Sequence, residues 1–314
     1  MSIPVDSNSD SPRGLVLVTV TYFLWGFLPL YMKALAHVPP VEVIAHRVIW
    51  SLPIAAAVLI WQRRADEVVA ALRTPRLLAM AAVTAILVSA NWLIYVWAIV
   101  NDQALEAALG YYINPLFSVF LGAVILKERL SRAQMAAIAL AAAAVIILTV
   151  QAGRLPIVAL GLTLSWGFYA YCKKSLPLGP NQGFTLEVLL LCPFAVGIAM
   201  WLQLTGRSHF AAGSLSDTLL LIGCGAVTAI PLMLYANGAK LVRLSTVGIL
   251  QYIAPTMIFL CAVLVFGEPF GSARMIAFPL IWAALVIYSV SLLRQARVKR
   301  REAMRAMAAA TRMQ

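Results

Sequence analysis

The residues that could do chemistry are the ionisable ones set inside long apolar runs. Glu42, His46 and Arg47 fall within two turns of each other in VEVIAHRVIW. A charge at the centre of a membrane helix costs about 2.5–3.5 kcal/mol on insertion scales, so such residues are retained for a reason. Glu42 and His46 are four apart and share a helical face. Glu106 opens another apolar run, and Lys33 closes the first one on the same side. The spacing predicts an external polar vestibule in which Arg47 pairs with Glu106. Glu42, His46 and Glu106 are the candidates for proton coupling, since an imidazole can titrate near neutral pH. The plainer reading is that Arg47 snorkels to headgroups and the two acids suit helix N-termini.

A second set lies in two matching stretches. Residues 104–130 contain Tyr111-Tyr112-Ile113-Asn114-Pro115, and residues 244–270 contain Gln251-Tyr252-Ile253-Ala254-Pro255. Proline removes a backbone donor and clashes with the preceding turn, so Pro115 and Pro255 are expected to break their helices. In lipid the freed carbonyls must face protein or a watered cavity. Tyr112, Asn114, Gln251 and Tyr252 are therefore expected on a substrate pathway, with Trp25, Asn91, Trp92 and Trp166 as further wall candidates. Glu187, on the opposite side, is a gate candidate, or a partner of Lys173 or Lys174, or an ordinary acid near a helix N-terminus. Glu128 and Glu268 are read as structural.

The elements that must position these groups follow from composition. Of the 314 residues 62% are hydrophobic and 11% charged, which describes a polytopic membrane protein. Ten apolar segments are predicted as helices, near 14–36, 41–61, 76–98, 104–127, 132–150, 156–175, 184–204, 216–238, 243–266 and 273–294. The run from Gly14 is too long for a signal-peptide core and reads as a retained first helix. Continuous apolar runs exclude a strand barrel. The four cysteines show no metal or disulfide spacing. No Walker loop, HExxH or GxSxG motif is present, so no cofactor, metal or direct use of ATP is expected.

Alternate connections hold 19 of the 24 Lys and Arg residues and the other connections only Arg154, Arg207 and Arg274. By the positive-inside rule both termini are cytoplasmic. The net charge of +12 is then a topology signal, and the basic tail 295–314 is expected on anionic lipids, with no nucleic-acid role. Trp25-Gly26-Phe27 recurs as Trp166-Gly167-Phe168, and Tyr95 corresponds to Tyr235. The chain thus divides into a tail 1–13, a first five-helix repeat 14–150, a second repeat 156–294 and the tail. An odd number of helices per repeat inverts the second against the first, as in secondary transporters. Lys127 and Arg129 flank Glu128, whereas Gly267 and Pro269 flank Glu268, which fits that inversion.

These blocks, together with His46-Arg47-Val48-Ile49-Trp50-Ser51, Asn91-Trp92, Leu105-Glu106-Ala107 and Leu244-Ser245-Thr246, carry a resemblance to a known family. The sequence resembles the RarD family of the drug/metabolite transporter superfamily, in its EamA branch, over all ten helices. The resemblance implies a secondary transporter of the bacterial inner membrane for a small metabolite or drug-like compound, with export favoured by analogy. Alternatives are an intramembrane lipid-modifying enzyme built on His46 and Glu42, and a non-transporting membrane receptor. The alanine-rich fifth helix could serve close packing or a homodimer.

Overall fold

The computed structural model describes residues 11–125, 130–212, 214–242 and 244–312. Glu128 with its flanking Lys127 and Arg129, and Arg243, lie outside them. All regular structure in the described residues is helical. The elements are α1 (Pro12–Ala34), α2 (Pro40–Trp61), α3 (Ala65–Leu72), α4 (Pro75–Val100), α5 (Ala104–Ile125) and α6 (Arg132–Ala152). They continue with α7 (Ile157–Ser175), α8 (Pro180–Leu204), α9 (Leu215–Gly238), α10 (Leu244–Leu250), α11 (Ile253–Leu260) and α12 (Ser272–Arg312). Prolines stand at the first positions of α1, α2, α4 and α8, where their missing N–H costs nothing. Ser131 starts α6 with a capping box to Gln134, and Gly153 ends it at φ 65°.

Nine helices among the described residues are long and apolar enough to cross a membrane. The sixth expected segment, α7, is a helix of 19 residues but is not one of the nine. Lys173 and Lys174 end it, and Thr163, Ser165, Tyr169 and Tyr171 dilute its hydropathy. It nevertheless sits inside the bundle, packed on α4 and α5. Two elements depart from the expected plan. The amphipathic α3 occupies the linker after α2, and α12 runs on through the basic tail as one helix of 41 residues.

The two proline positions also differ. Pro115 lies inside an uninterrupted α5, so the break expected there does not form. Pro255 follows a true interruption between α10 and α11, and a five-residue π-helix, Cys261–Val265, completes that span. The flanking residues explain the difference. Upstream of Pro115 stand strong helix formers, Ala104, Leu105, Glu106, Ala107 and Ala108, whereas α10 holds Ser245, Thr246, Val247 and Gly248. The N-terminus of α5 is also held from outside. Glu268 is buried and its carboxylate accepts from the amides of Ala104 at 2.6 Å and Leu105 at 3.0 Å.

Packing relates the two halves of the chain by a twofold exchange. α1 lies on α9 and α11 as α7 lies on α4 and α5, while α2 meets α8, α5 meets α11 and α6 meets α12. The exchange holds at single residues. A Cβ on Gly26 would come within 2.7 Å of Met257, and one on Gly167 within 2.4 Å of Phe117, 140 positions earlier than Met257. The alanine face of α6, with Ala137, Ala141 and Ala144 buried, is taken up by α12 of the same chain.

Candidate functional site

Where the halves meet, their side chains line a cavity of about 130 Å³. Its walls come from α1, α2, α4 and α5 of the first half and from α7, α9, α11 and Gln251 of the second. Four pairs of lining positions are related by the repeat spacing: 25 with 166, 95 with 235, 111 with 251, and 114 with 254. Trp25 meets Trp166 edge-on at 6.3 Å between ring centroids, and Tyr235 lies 5.5 Å from Trp25 and 5.9 Å from Tyr22. Aromatic rings in these edge and tilted arrangements form a rigid apolar wall with phenol and indole edges for hydrogen bonds.

Arg47 reaches this cavity from α2 and is 3% exposed. Its Nε donates to Thr228 Oγ1 at 2.9 Å, and Thr228 in turn donates to the Cys224 carbonyl at 2.7 Å. The guanidinium lies over the Trp92 ring at 4.8 Å. Its Nη1 is buried with no partner, and no carboxylate among the described residues pairs with it. The ring contact supplies about 2 kcal/mol when desolvated, and a hydrogen bond from a charged group about 1.5–3 kcal/mol. Burying a guanidinium costs several kcal/mol, with about 1–3 kcal/mol more for an unpaired donor. The site therefore holds a cation whose neutralisation is incomplete. Tyr95 Oη and Asn114 Oδ1, also on the cavity wall, are likewise buried without partners. Asn91, by contrast, is engaged: it donates to the Leu162 carbonyl and Ser165 Oγ and accepts from Tyr111 Oη at 3.1 Å.

Of the sequence-predicted pathway residues, Trp25, Arg47, Asn91, Trp92, Asn114 and Gln251 line the cavity, with Pro255 and Trp166. Tyr112 and Tyr252 do not. Tyr112 bonds Thr256 at 2.8 Å between α5 and α11 and packs on Phe278, and Tyr252 packs into the core. One residue along a helix turns a side chain by about 100°, so Tyr111 and Gln251 face the cavity in their place. The sequence reading missed Tyr22, Leu28, Tyr95, Tyr111, Thr228 and Tyr235 as lining residues. Tyr95 and Tyr235 carried a usable signal, since they recur at the repeat spacing. Thr228 carried none.

The expected ionisable vestibule is not assembled. Glu106 lies 3.8 Å from Arg154, in a separate cavity of about 100 Å³ that also holds Arg274, so the Arg47–Glu106 pair is corrected. Glu42 is fully buried beneath the loop before α9 and accepts from Ser208 Oγ, the His209 amide and the His209 ring at 2.8 Å. His46 accepts from Trp50 Nε1 at 3.1 Å and stacks on Phe210 at 4.7 Å. Glu42 and His46 stay near each other on α2, both against the loop 208–210, with no hydrogen bond between them among the described residues, while Glu106 lies apart from both. Lys33 pairs with Asp102. Glu187 is buried within its own half, held by Lys173 Nζ at 2.6 Å and Tyr169 Oη at 3.3 Å.

A polar, aromatic cavity at the seam of two repeated helical units defines a multi-pass membrane carrier class. The comparisons with known proteins agree and make it specific. The model of the EamA-like transporter family matches residues 12–150 and again 155–290. A relative from Vibrio cholerae serotype O1, described as an uncharacterized transporter, is 43% identical over 94% of this chain and 97% of its own. "Protein RarD" of Salmonella typhi is 41% identical over 88% of this chain and 94% of its own, and "Protein RarD" of Escherichia coli 39% over 88% and 93%. A solved crystal structure of a protein 22% identical superposes with a TM-score of 0.57, covering 90% of this chain and 98% of that one, and supports the fold alone. The chain belongs to the EamA-like transporter family, as the RarD resemblance implies, and is a membrane transporter of a small molecule, not an enzyme.

Proposed function

We propose that the protein is a secondary transporter of the bacterial inner membrane that exports a small metabolite or drug-like compound by alternating access. Its ten helices form two inverted repeats, 14–150 and 156–294, counting α7 as a span and α10, α11 and the π-helix as one. Both termini are cytoplasmic, and the basic end of α12 rests on anionic lipid, with no nucleic-acid role. The observation that carries this reading is the cavity itself, walled by equivalent positions of both halves. A rocking motion about that seam would move one set of walls against the other while the site stays central.

Polar ties cross the seam at both ends. At the end of Glu42, the acid binds the loop before α9, His37 meets Asp217 at 3.1 Å, and Glu268 caps α5. At the other end Gln182 donates to Glu67 at 3.1 Å, Asn181 donates to Gln62 at 3.1 Å, and the Ser11 amide donates to the Leu241 carbonyl. We assign these as alternating gates, each broken when its end opens. Glu187 acts within this scheme by keeping α7 and α8 together as one body. The test is metabolite profiling of cells and medium in a deletion and an overexpressing strain. A compound whose export tracks expression, and is lost in Arg47→Ala at normal protein level, supports the reading; a secretion profile indifferent to expression contradicts it.

A further inference from the structure

We infer that the central cavity takes a monoanionic molecule without an amine, a carboxylate on a flat apolar body, with Arg47 as its counter-charge. This rests on the carrier reading, which makes the cavity the substrate site. The cavity's charge, its unpartnered polar atoms, its aromatic walls and its size all bear on the assignment. Arg47 is buried, unpaired at Nη1 and free of any carboxylate partner among the described residues, so the site carries an unneutralised positive charge. An anion supplies what the protein leaves out, through charge-assisted bonds to a planar donor fork.

Among the described residues no acidic side chain lines the cavity, and Glu42, Glu106 and Glu187 are each held elsewhere. An ammonium group would therefore find no carboxylate and would stand against Arg47, which disfavours amines and zwitterionic amino acids. The unpartnered Tyr95 hydroxyl is a second donor for the anion, and the Asn114 amide can present its nitrogen or its oxygen. Seven of the lining residues are Trp or Tyr, which suits a flat ring. The volume of about 130 Å³ is close to that of a roughly 150 Å³ engineered cavity that accepts a benzene ring, so a single-ring acid is the size expected.

The experiment is equilibrium binding to the purified full-length protein in lipid nanodiscs, read by tryptophan fluorescence. The probes are phenylacetate, its neutral isostere phenylacetamide, and the zwitterion phenylalanine. Phenylacetate is expected to bind about tenfold or more tighter than either of the others, in line with one charge-assisted contact. Arg47→Gln should erase the preference and Arg47→Lys retain part of it. Equal binding of acid and amide, preference for the zwitterion, or no binding of any probe by folded protein overturns the assignment. A second measurement needs no ligand. In Arg47→Met the unfolding temperature should rise by several degrees, because an unpaired buried charge is removed; a fall of several degrees would make Arg47 a structural cation and also overturn it. Proteoliposome flux separates this from the carrier reading: binding with acid preference but no flux counts against transport only, while flux of the amide as fast as the acid counts against the anion only.

Discussion

At the scale of single residues, Arg47 was legible and its surroundings were not. A charge inside VEVIAHRVIW announces itself because hydrocarbon penalises it, whatever its partners. The partners are tertiary: Thr228 comes from 181 positions away and Trp92 from another helix. The Glu106 pairing expected for it fails because Glu106 faces a separate cavity with Arg154, just beyond α6, while Arg47 faces the central one. Tyr112 and Tyr252 stand out as a repeated pair of tyrosines, whereas the helical face that points inward, with Tyr111 and the expected Gln251, depends on packing. Two predictions belong here. Thr228→Val removes the side-chain acceptor of Arg47 Nε, and a hydrogen bond from a charged group is worth about 1.5–3 kcal/mol. Transport should fall about tenfold or more at unchanged protein level, measured as flux per molecule in proteoliposomes. Glu268→Ala removes the carboxylate that caps α5, and should cost about 0.5–2 kcal/mol, seen as faster amide exchange at Ala104 and Leu105. Unchanged exchange would mean that water satisfies those amides equally well.

At the scale of elements, hydropathy placed the spans because bilayer thickness fixes how long an apolar helix must be. It could not place α3, whose 8 residues are amphipathic and short, nor tell that α5 would stay whole while its counterpart broke. Helix continuity across a proline depends on the formers around it and on what holds the end. The contact between α2 and α9 gives the sharpest element-level prediction. A Cβ on Gly225 would lie 2.3 Å from the Trp50 backbone carbon, so even alanine must push the helices apart. That crossing stands one turn from Arg47 and Thr228 on the same two helices. Gly225→Ala should destabilise by about 1–3 kcal/mol in thermal unfolding and lower flux beyond its effect on stability. Gly197→Ala, in α8 with nothing within 4 Å of the added carbon, is the control and should stabilise by about 0.5–1 kcal/mol through helix propensity. Equal effects at the two positions would contradict the close crossing.

At the scale of the whole molecule, duplication was readable from Trp-Gly-Phe and Tyr-Ile-x-Pro, and the twofold exchange of contacts between halves agrees with it. The cavity was foreseen only as a consequence of that symmetry, since a void between helices leaves no mark on any one segment. Alternating access at this seam is the central claim. Its most direct test places a single cysteine at Asn114, on the cavity wall, in a protein whose four native cysteines are replaced. A membrane-impermeant thiol reagent is then applied from each face, using right-side-out and inside-out vesicles. The account predicts that this one position reacts from both faces, and that added substrate slows the reaction from each. Reaction from one face only, under every condition that supports flux, would contradict it.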